Sequence, residues 1–330
     1  MTLPPRSIPE RLLPVPTTVS PALQQAIAQP LTATIEAIRT APGDLAGWRE
    51  LIATLDAASW ERLSRLRQQC PVSVTSESIA GIPCYRVVPR AIAPANQRRL
   101  LIHCHGGGYV LASGEVCIGE AVLAAYYGQI SVLSIDFRQA PDHPFPAPIE
   151  DVVQVWQSIL RDYSPGLLGM FGTSAGGGLV LATLLKLKEL DLPLPAAIAP
   201  LSPWADLSKT SDSLWVNEYV DEIAISYDGL VAGMAQVYAG ETDLKHPLVS
   251  PLYGDFTGFP PTFLVSGTRD LLLSDTVRVQ RKLRQANIPV HLQLFEGLSH
   301  AEYLYAFEIS ETREVFTEMQ LFFDQYLSTI

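Results

Sequence analysis

The stretch LLGMFGTSAGGG, residues 167–178, decides the fold of this chain. Its first part, Leu167–Phe171, is a continuous apolar run, which is typical of a strand buried on both faces. An Ala- and Leu-rich helical pattern begins at Ala175. The intervening G-x-S-x-G pentapeptide suits a tight strand-to-helix turn that exposes Ser174 at the edge of a sheet, beside a helix N-terminus that favours negative charge. Taken alone, the pentapeptide is also compatible with a Gly-rich helix start that merely packs closely on a strand.

Strand and helix patterns alternate over most of the chain. Strands are predicted at Leu100–Cys104, Ile130–Ile135, Leu167–Phe171, Ala196–Leu201, Thr262–Val265 and Val290–Phe295, and helices at about 116–127, 147–161, 175–190, 275–286 and 301–327. Two short β-like runs, Val72–Ile79 and Cys84–Val88, precede them and favour an antiparallel pair. Buried strands separated by helices indicate an α/β protein with a mostly parallel, doubly wound sheet.

Composition excludes several classes of function. The 330 residues include 34 acidic and 23 basic side chains, giving a formal net charge of −11 without a local basic run, so no nucleic acid partner is expected. No stretch approaches the ~18 consecutive apolar residues of a membrane span, and no signal pattern is present, which predicts a soluble, cytoplasmic protein without membrane insertion. The four cysteines have spacings that match no metal or redox motif and are expected to be buried free thiols.

A second glycine-rich motif, His105-Gly106-Gly107-Gly108-Tyr109, follows the strand predicted at 100–104. Consecutive glycines at a strand end allow backbone N–H groups to face a ligand, and acyl transfer requires such donors, each worth roughly 3 kcal/mol, for its oxyanion. A flexible turn and a phosphate-binding loop are alternatives, although the latter lacks its usual lysine. A metal site at His103 and His105 is disfavoured because no further ligand follows at suitable spacing. No metal or cofactor is therefore predicted.

A nucleophilic serine requires a base and an acid. Among the six histidines, His300 is favoured because it follows the last predicted strand and so reaches the same sheet edge as Ser174. The loop after the strand at 262–265 offers two acids, of which Asp270 is favoured. Asp275 is kept in reserve because it lies where a helix N-cap is expected. The order Ser174, Asp270, His300 is that of an α/β-hydrolase triad.

These motifs together resemble the hormone-sensitive lipase-like (bacterial family IV) carboxylesterases of the α/β-hydrolase superfamily, in the branch that reads Gly-Thr-Ser-Ala-Gly. The stretches 136–147 and Ser202–Asp206 resemble further segments of that family, and the resemblance covers about residues 70–328. It implies an eight-stranded α/β-hydrolase fold with an oxyanion hole formed by the backbone N–H groups of Gly107, Gly108 and Ala175. Many members carry an acidic residue where this chain has Thr173, so any role of that acid is not transferred.

The resemblance also implies a helical cap in two pieces. Residues 1–69 are the expected N-terminal cap segment, and residues 70–330 the catalytic domain with an inserted cap segment at about 206–240. That inserted segment interrupts the strand–helix rhythm and is longer than a simple crossover needs. Aromatic residues near it are candidates for the walls of the substrate pocket: Tyr109, Trp204, Trp215, Tyr219 and Tyr227.

The predicted function is hydrolysis of small-molecule carboxylic esters through the triad and an acyl-enzyme. The resemblance implies short to medium acyl groups. Three alternatives stay open: a lactone hydrolase with the same triad, an amidase or peptidase, and a non-catalytic ligand-binding member of the fold, which would be expected to lack His300. The strand at 290–295 is a possible sheet edge, and covering that edge favours a homodimer.

Overall fold

An eight-stranded sheet forms the centre of the computed structural model, which describes residues 6–10, 12–30 and 40–328. The strand order is β1-β2-β4-β3-β5-β6-β7-β8. The strands are β1 (Val72–Ile79), β2 (Ile82–Pro89), β3 (Leu100–Cys104), β4 (Ser131–Ile135), β5 (Leu168–Thr173), β6 (Ala197–Leu201), β7 (Thr262–Gly267) and β8 (Val290–Phe295). β1 and β2 are antiparallel to each other, and β2 is antiparallel to β4. Strands β3 to β8 are parallel to one another, which confirms the predicted mostly parallel sheet.

Helices cover both faces of this sheet. They are α1 (Pro21–Ile27), α2 (Leu45–Gln69), α3 (Gly119–Gly128), α4 (Ala147–Ile159), α5 (Ala175–Glu189), α6 (Ser213–Val216), α7 (Ala232–Ala239), α8 (Leu273–Gln285), α9 (Glu302–Tyr305) and α10 (Ser310–Tyr326). Leu100 and Ile102 of β3 belong to the core that contains α4, α5 and α8, whereas Leu101 belongs to the core that contains α3 and α10. Because the central strands β3 to β7 are buried on both faces, their sequences are largely apolar without alternation.

Two features of the helices correct expectations from the sequence. The helix expected at 301–327 is divided into α9 and α10, because Ile309 is extended (φ −71°, ψ 151°) and its side chain is buried in the core. The helix α8 begins at Leu273, so Asp275 lies inside its first turn and does not cap it. The capping explanation for Asp275 is therefore wrong. Its carboxylate instead accepts hydrogen bonds from the N–H groups of Ala205 (3.0 Å) and Asp206 (2.8 Å).

The inserted segment at 206–240 lies within the long connection from β6 to β7. It contains α6, a kinked π-helical turn at Tyr227–Val231 and α7. The N-terminal segment contributes α1 and the 25-residue α2, which is N-capped by Asp44. Its residues 1–5, 11 and 31–39 lie outside the described residues. The division into a cap and a catalytic domain stays a prediction.

Three further features concern expectations from the sequence. All four cysteines are buried and free, as predicted. Strand β8 lies at one end of the sheet, so the predicted sheet edge is confirmed. Among the residues that the structure describes, no helix combines the length and apolarity needed to cross a membrane.

Candidate active site

Ser174 stands on a strained turn between β5 and α5. Its backbone lies in a region that side chains rarely adopt (φ 62°, ψ −124°), and its carbonyl accepts hydrogen bonds from the N–H groups of Gly178 (3.0 Å) and Trp204 (2.9 Å). A Cβ atom at Gly172 or Gly176 would clash with the carbonyl oxygen of Cys104 at the end of β3. The two glycines are therefore required by close backbone approach, and the predicted strand–turn–helix context of Ser174 is confirmed.

The three residues predicted as a triad are brought together at the carboxyl edge of the sheet. Ser174 follows β5, Asp270 follows β7 and His300 follows β8. The Nε2 atom of His300 lies 2.9 Å from the Oγ of Ser174, and its Nδ1 lies 2.9 Å from an oxygen of Asp270. This geometry corresponds to the imidazole tautomer in which Nδ1–H donates to Asp270 and Nε2 accepts from the serine hydroxyl.

The acid is held by more than the imidazole. Asp270 is fully buried and also accepts hydrogen bonds from the hydroxyl of Ser266 (2.6 Å) and the N–H of Leu272 (2.8 Å). Burial by itself raises the pKa of this carboxyl, but the charge and hydrogen bond of His300 and these two donors outweigh it, so the pKa lies below its ordinary value. Asp270 is thus kept as a carboxylate, and Ser266 is a contributor that no sequence motif marked.

The pKa of His300 depends on its contact with Asp270. Burial lowers the pKa of the imidazole, but the charge and hydrogen bond of Asp270, helped by the charges of Asp221 and Asp275, raise it above the ordinary histidine value. An imidazole so placed gains a proton readily when it acts as a base. The reserve candidate Asp275 makes no contact with this ring: it is buried elsewhere, and burial raises the pKa of its carboxyl to about 7.

The loop after β3 presents backbone donors to the same place. Gly107 and Gly108 have positive φ angles of 104° and 64°, and both line the cavity that contains Ser174. The N–H groups of Gly107, Gly108 and Ala175 donate to no other atom of the described residues. They are therefore available to an oxyanion, as the sequence prediction requires.

The two histidines of this region have structural partners. The ring of His105 stacks on Phe137 with a centroid separation of 4.2 Å, and its Nδ1–H donates to the carbonyl of Gly106. Burial lowers the pKa of His105 to about 3, so its ring is neutral. His103 is hydrogen-bonded to Ser134 and Glu120. Within the described ranges, no cluster of three potential metal ligands occurs.

A buried polar network lies behind the nucleophile. Thr173 donates its hydroxyl to Glu120 (2.6 Å) and its N–H to the other carboxylate oxygen of Glu120 (3.1 Å). The same hydroxyl lies 2.9 Å from the phenol oxygen of Tyr303, and Glu120 also contacts the Nε2 of His103 (3.0 Å). Sequence reasoning missed Glu120, because it stands in an otherwise ordinary part of α3 with no motif around it.

A cavity of about 450 Å³ opens over the triad. Ser174, His300 and the glycine loop form its floor. Its walls come from α2, from the inserted segment and from the loop after Asp270, and they are largely apolar, including Leu55, Leu63, Leu230, Met234, Leu271 and Leu272. Arg62 and Glu222 are the charged residues of this wall that lie away from the triad and the buried network. Such a lining suits a small apolar acyl or alcohol group.

Of the five aromatic residues predicted as candidates for the pocket walls, one lines this cavity. Trp204 does so. Tyr109 lies behind the wall, buried and stacked on Tyr238 at a centroid separation of 3.8 Å. Trp215 and Tyr219 lie outside the cavity, on the surface of the inserted segment, with 60% and 51% of their area exposed. The structure therefore does not bring Tyr109, Trp215 or Tyr219 to the wall of this cavity. Tyr227 is also absent from the lining: it is buried, and its hydroxyl donates to the carbonyl of Leu207.

A second concavity, of about 510 Å³, lies at the start of the edge strand β8. Pro289, Val290 and His291 form part of its lining, together with residues of α10. Ser174, Asp270 and His300 are not among its lining residues. The reactive groups therefore place the candidate active site in the cavity beneath the inserted segment.

Comparison with known proteins agrees with this geometry. Residues 101–304 match the family model described as an alpha/beta hydrolase fold. The chain is 32% identical to an esterase of Acinetobacter venetianus over 240 residues, which cover 72% of this chain and 78% of that protein. It is 34% identical to an acetyl-hydrolase of Streptomyces hygroscopicus over 222 residues, which cover 65% of this chain and 72% of that protein.

Solved structures extend the similarity to nearly the whole chain. The crystal structure of an esterase E25 matches with a TM-score of 0.94 and 39% identity, covering 98% of this chain and 99% of that one. That of an esterase from the bacterial hormone-sensitive lipase (HSL) family matches with a TM-score of 0.75 and 26% identity, covering 94% and 99%. Fold and site thus define an α/β-hydrolase. The chain belongs to the hormone-sensitive lipase-like esterases of that superfamily and is a carboxylic ester hydrolase, as predicted.

Proposed function

We propose that this protein hydrolyses small carboxylic esters with short to medium acyl groups, with Ser174 as nucleophile, His300 as base and Asp270 as the acid that orients it. The observation that carries the proposal is the continuous hydrogen-bond chain from the Oγ of Ser174 through both nitrogens of His300 to Asp270, with both distances at 2.9 Å. That chain ends in a cavity, where an ester can reach the serine.

In the first half-reaction, the Oγ of Ser174 attacks the ester carbonyl while the Nε2 of His300 accepts the hydroxyl proton. The carbonyl oxygen becomes an oxyanion, and the N–H groups of Gly107, Gly108 and Ala175 donate to it. When the tetrahedral intermediate collapses, the bond to the alcohol oxygen breaks and His300 returns its proton to the departing alcohol. The product is an acyl-enzyme on Ser174.

In the second half-reaction, water replaces the alcohol. The oxygen of the water attacks the acyl carbonyl while His300 accepts a proton from the same water molecule. The N–H groups of Gly107, Gly108 and Ala175 donate to the second oxyanion. Collapse of this intermediate breaks the bond to Ser174, which regains the proton from His300. The carboxylic acid leaves, and the enzyme returns to its starting state.

The size and lining of the cavity support the acyl range. A volume of about 450 Å³ must hold both the acyl and the alcohol group, and its walls are mainly aliphatic. Each buried methylene contributes about 0.8 kcal/mol until the cavity is full. We therefore expect kcat/KM for p-nitrophenyl esters to rise from acetyl to butanoyl or hexanoyl and to fall for acyl chains beyond about ten carbons.

The test of the nucleophile is the variant Ser174→Ala. It should reduce kcat for p-nitrophenyl butyrate by about 10⁴-fold or more, because the remaining groups cannot form an acyl-enzyme. Ser64→Ala is a matched control, since Ser64 is exposed on α2 and, among the described residues, its hydroxyl donates only to the carbonyl of Trp60. Full activity of Ser174→Ala would refute the assignment.

A lactone hydrolase is the second candidate, since ring opening uses the same three residues and the same oxyanion donors. A panel that contains linear esters and lactones of equal carbon number decides between them. Higher kcat/KM for the linear esters supports the proposal, and a preference for the lactones replaces it.

Two further predictions concern the cellular location and the oligomeric state of the protein. A cytoplasmic location is tested by cell fractionation with an antibody against the chain. A homodimer is tested by light scattering at two concentrations, where a mass corresponding to one chain at both would refute it.

A further inference from the structure

One carboxylate of the inserted segment contacts both triad loops. Asp221 is completely buried. Its Oδ2 accepts hydrogen bonds from the N–H of Leu271, the residue after the triad acid (2.6 Å), and from the N–H of His300 itself (3.0 Å). A single oxygen atom therefore joins the backbone of the acid loop to the backbone of the base loop.

The other oxygen of the same carboxylate holds the wall of the cavity. The Oδ1 of Asp221 accepts hydrogen bonds from the N–H groups of Ile223 and Ala224, both at 2.8 Å. Ile223 and Ala224 line the cavity above the triad, as does Glu222 between them. The Oδ2 of Asp221 thus binds the two triad loops, and its Oδ1 binds the wall of the cavity.

All four of these hydrogen bonds to Asp221 are donated by backbone N–H groups. Burial, with the charge of Asp270, raises the pKa of Asp221 above its ordinary value, although the charge of His300 and the backbone donors oppose this rise. No acceptor among the described residues receives a hydrogen bond from this carboxyl. The donor set is therefore matched to the ionised form, and burying a charge without such partners would be costly.

We infer that Asp221 is a positioning residue for the hydrolytic reaction, which aligns His300 with Asp270 and fixes both to the substrate-binding wall at 222–224. It touches neither the substrate nor the reacting atoms. Because its two oxygens link the wall to the triad loops, a displacement of the wall is transmitted to the position of the imidazole. The inference rests on the proposed function, since alignment matters only if His300 is the base.

The charge of Asp221 has a second effect that a purely structural residue would not have. The charged groups around His300 are Asp270 from the loop after β7, Asp275 from α8 and Asp221 from the inserted segment, and each raises the pKa of the imidazole. Glu222 and Glu302 interact electrostatically with each other and with Asp221 nearby. Removing the charge at Asp221 should lower the pKa of His300, so that the base stays neutral at lower pH.

The test is Asp221→Asn in the full chain. The amide keeps the shape, but its NH₂ group must face one of the two pairs of N–H donors, so one pair is left without an acceptor. We expect kcat/KM for p-nitrophenyl butyrate to fall at least about tenfold, because sub-ångström misplacement of the base slows proton transfer. We also expect the acidic limb of the pH profile of kcat/KM to move to lower pH.

Asp206→Asn is the matched control. Asp206 is equally buried in the same segment, but its carboxylate accepts from Ser208, Thr210, Tyr253 and Arg278, none of which belongs to a triad loop. It should lose stability without moving the acidic limb. If Asp221→Asn behaves like Asp206→Asn, the inference is wrong.

Two further variants keep the outcomes separate. If Asp221→Asn does not fold, Asp221→Glu replaces it, because this variant keeps the charge but displaces it by one methylene. Asp221→Glu should lower kcat/KM and leave the acidic limb of the pH profile in place. Wild-type kcat/KM in Asp221→Glu overturns the inference. The variant Ser174→Ala shows whether the proposed function itself is wrong. Activity in Ser174→Ala refutes the proposed function, whereas an inactive Ser174→Ala together with an unaffected Asp221→Asn refutes only the role of Asp221.

Discussion

The residue before the nucleophile, Thr173, is hydrogen-bonded to a carboxylate from another part of the chain. Thr173 is neutral, yet a carboxylate lies against it, because Glu120 of α3 accepts both its hydroxyl and its N–H. Glu120 in turn binds His103, and Tyr303 completes the network from α9. Such a network is stable only when every member has its partner. The turn that carries Ser174 is thus anchored through Thr173 to two helices that are distant in sequence.

The variant Glu120→Gln tests this anchor. The amide NH₂ cannot accept in the place of the oxygen that it replaces. Either the hydroxyl of Thr173, or the N–H of Thr173 together with the ring of His103, therefore loses its acceptor at Glu120, at a cost of about 1 to 3 kcal/mol. We expect a reduced urea midpoint and a lower kcat. Glu115→Gln is the control, since Glu115 forms a partly exposed ion pair with Arg67. Equal midpoints for the two variants would contradict the account.

The pH dependence of activity follows from His300. The base must be neutral to accept the serine proton, and burial, which lowers its pKa, is outweighed by Asp270, so the pKa in the free enzyme lies above the ordinary value. The acidic limb of kcat/KM should therefore have an apparent pKa above about 6.5. Activity is lost as the pH falls through this value and is retained into the alkaline range. A limb centred below 6 in a pH series of p-nitrophenyl acetate hydrolysis would be inconsistent with this pair.

At the scale of the elements, apolar runs located the strands well. β3 coincides with its predicted range, because strands buried on both faces admit few polar residues. β8 coincides as well, although Phe295 is its one buried residue. Helix ends were less predictable: the break at Ile309 depends on a side chain that reaches the core, and no Gly or Pro marks it. Asp275 was misjudged for a similar reason, since its partners Ala205 and Asp206 lie on a different element.

The turn from β5 to α5 gives a prediction at this scale. Gly176→Ala would place a Cβ against the carbonyl oxygen of Cys104, so β3 and α5 must separate, at about 2 to 4 kcal/mol. Because Ser174 moves with them, we also expect at least a tenfold loss of kcat. Gly43→Ala is the control, since a Cβ there meets no atom within 4 Å. Thermal melts and kcat of the two variants provide the test, and equal values would refute the close approach.

At the scale of the whole molecule, the active site joins parts that are far apart in the chain. The sheet supplies Ser174, Asp270 and His300 at its carboxyl edge, which chain order and strand ends were enough to predict. The cavity above them depends on how α2 and the inserted segment pack, and this packing was not predictable from the sequence. The aromatic residues illustrate the difference: Trp204, just before the inserted segment, faces the cavity, whereas Trp215, within it, is exposed.

The cavity wall gives a prediction about acyl length. Met234 of α7 lines the cavity and packs directly over Gly108 in the oxyanion loop. Met234→Ala should extend the space for the substrate, and one additional buried methylene is worth about 0.8 kcal/mol, or about fourfold in kcat/KM. The ratio of kcat/KM for octanoyl to butanoyl esters should rise by at least that factor. Met319→Ala, in the core against α3, should lower stability and leave the ratio unchanged.

The central claim is that Ser174 forms the acyl-enzyme. Its most direct test is intact-protein mass spectrometry after treatment with a serine-reactive organophosphonate, followed by peptide mapping and a measurement of residual esterase activity. The account predicts one adduct per chain, located on the peptide that contains Ser174, with activity lost in proportion to labelling and no adduct in Ser174→Ala. A fully inhibited enzyme whose adduct lies on another serine, or an active enzyme that is fully labelled at Ser174, would contradict it.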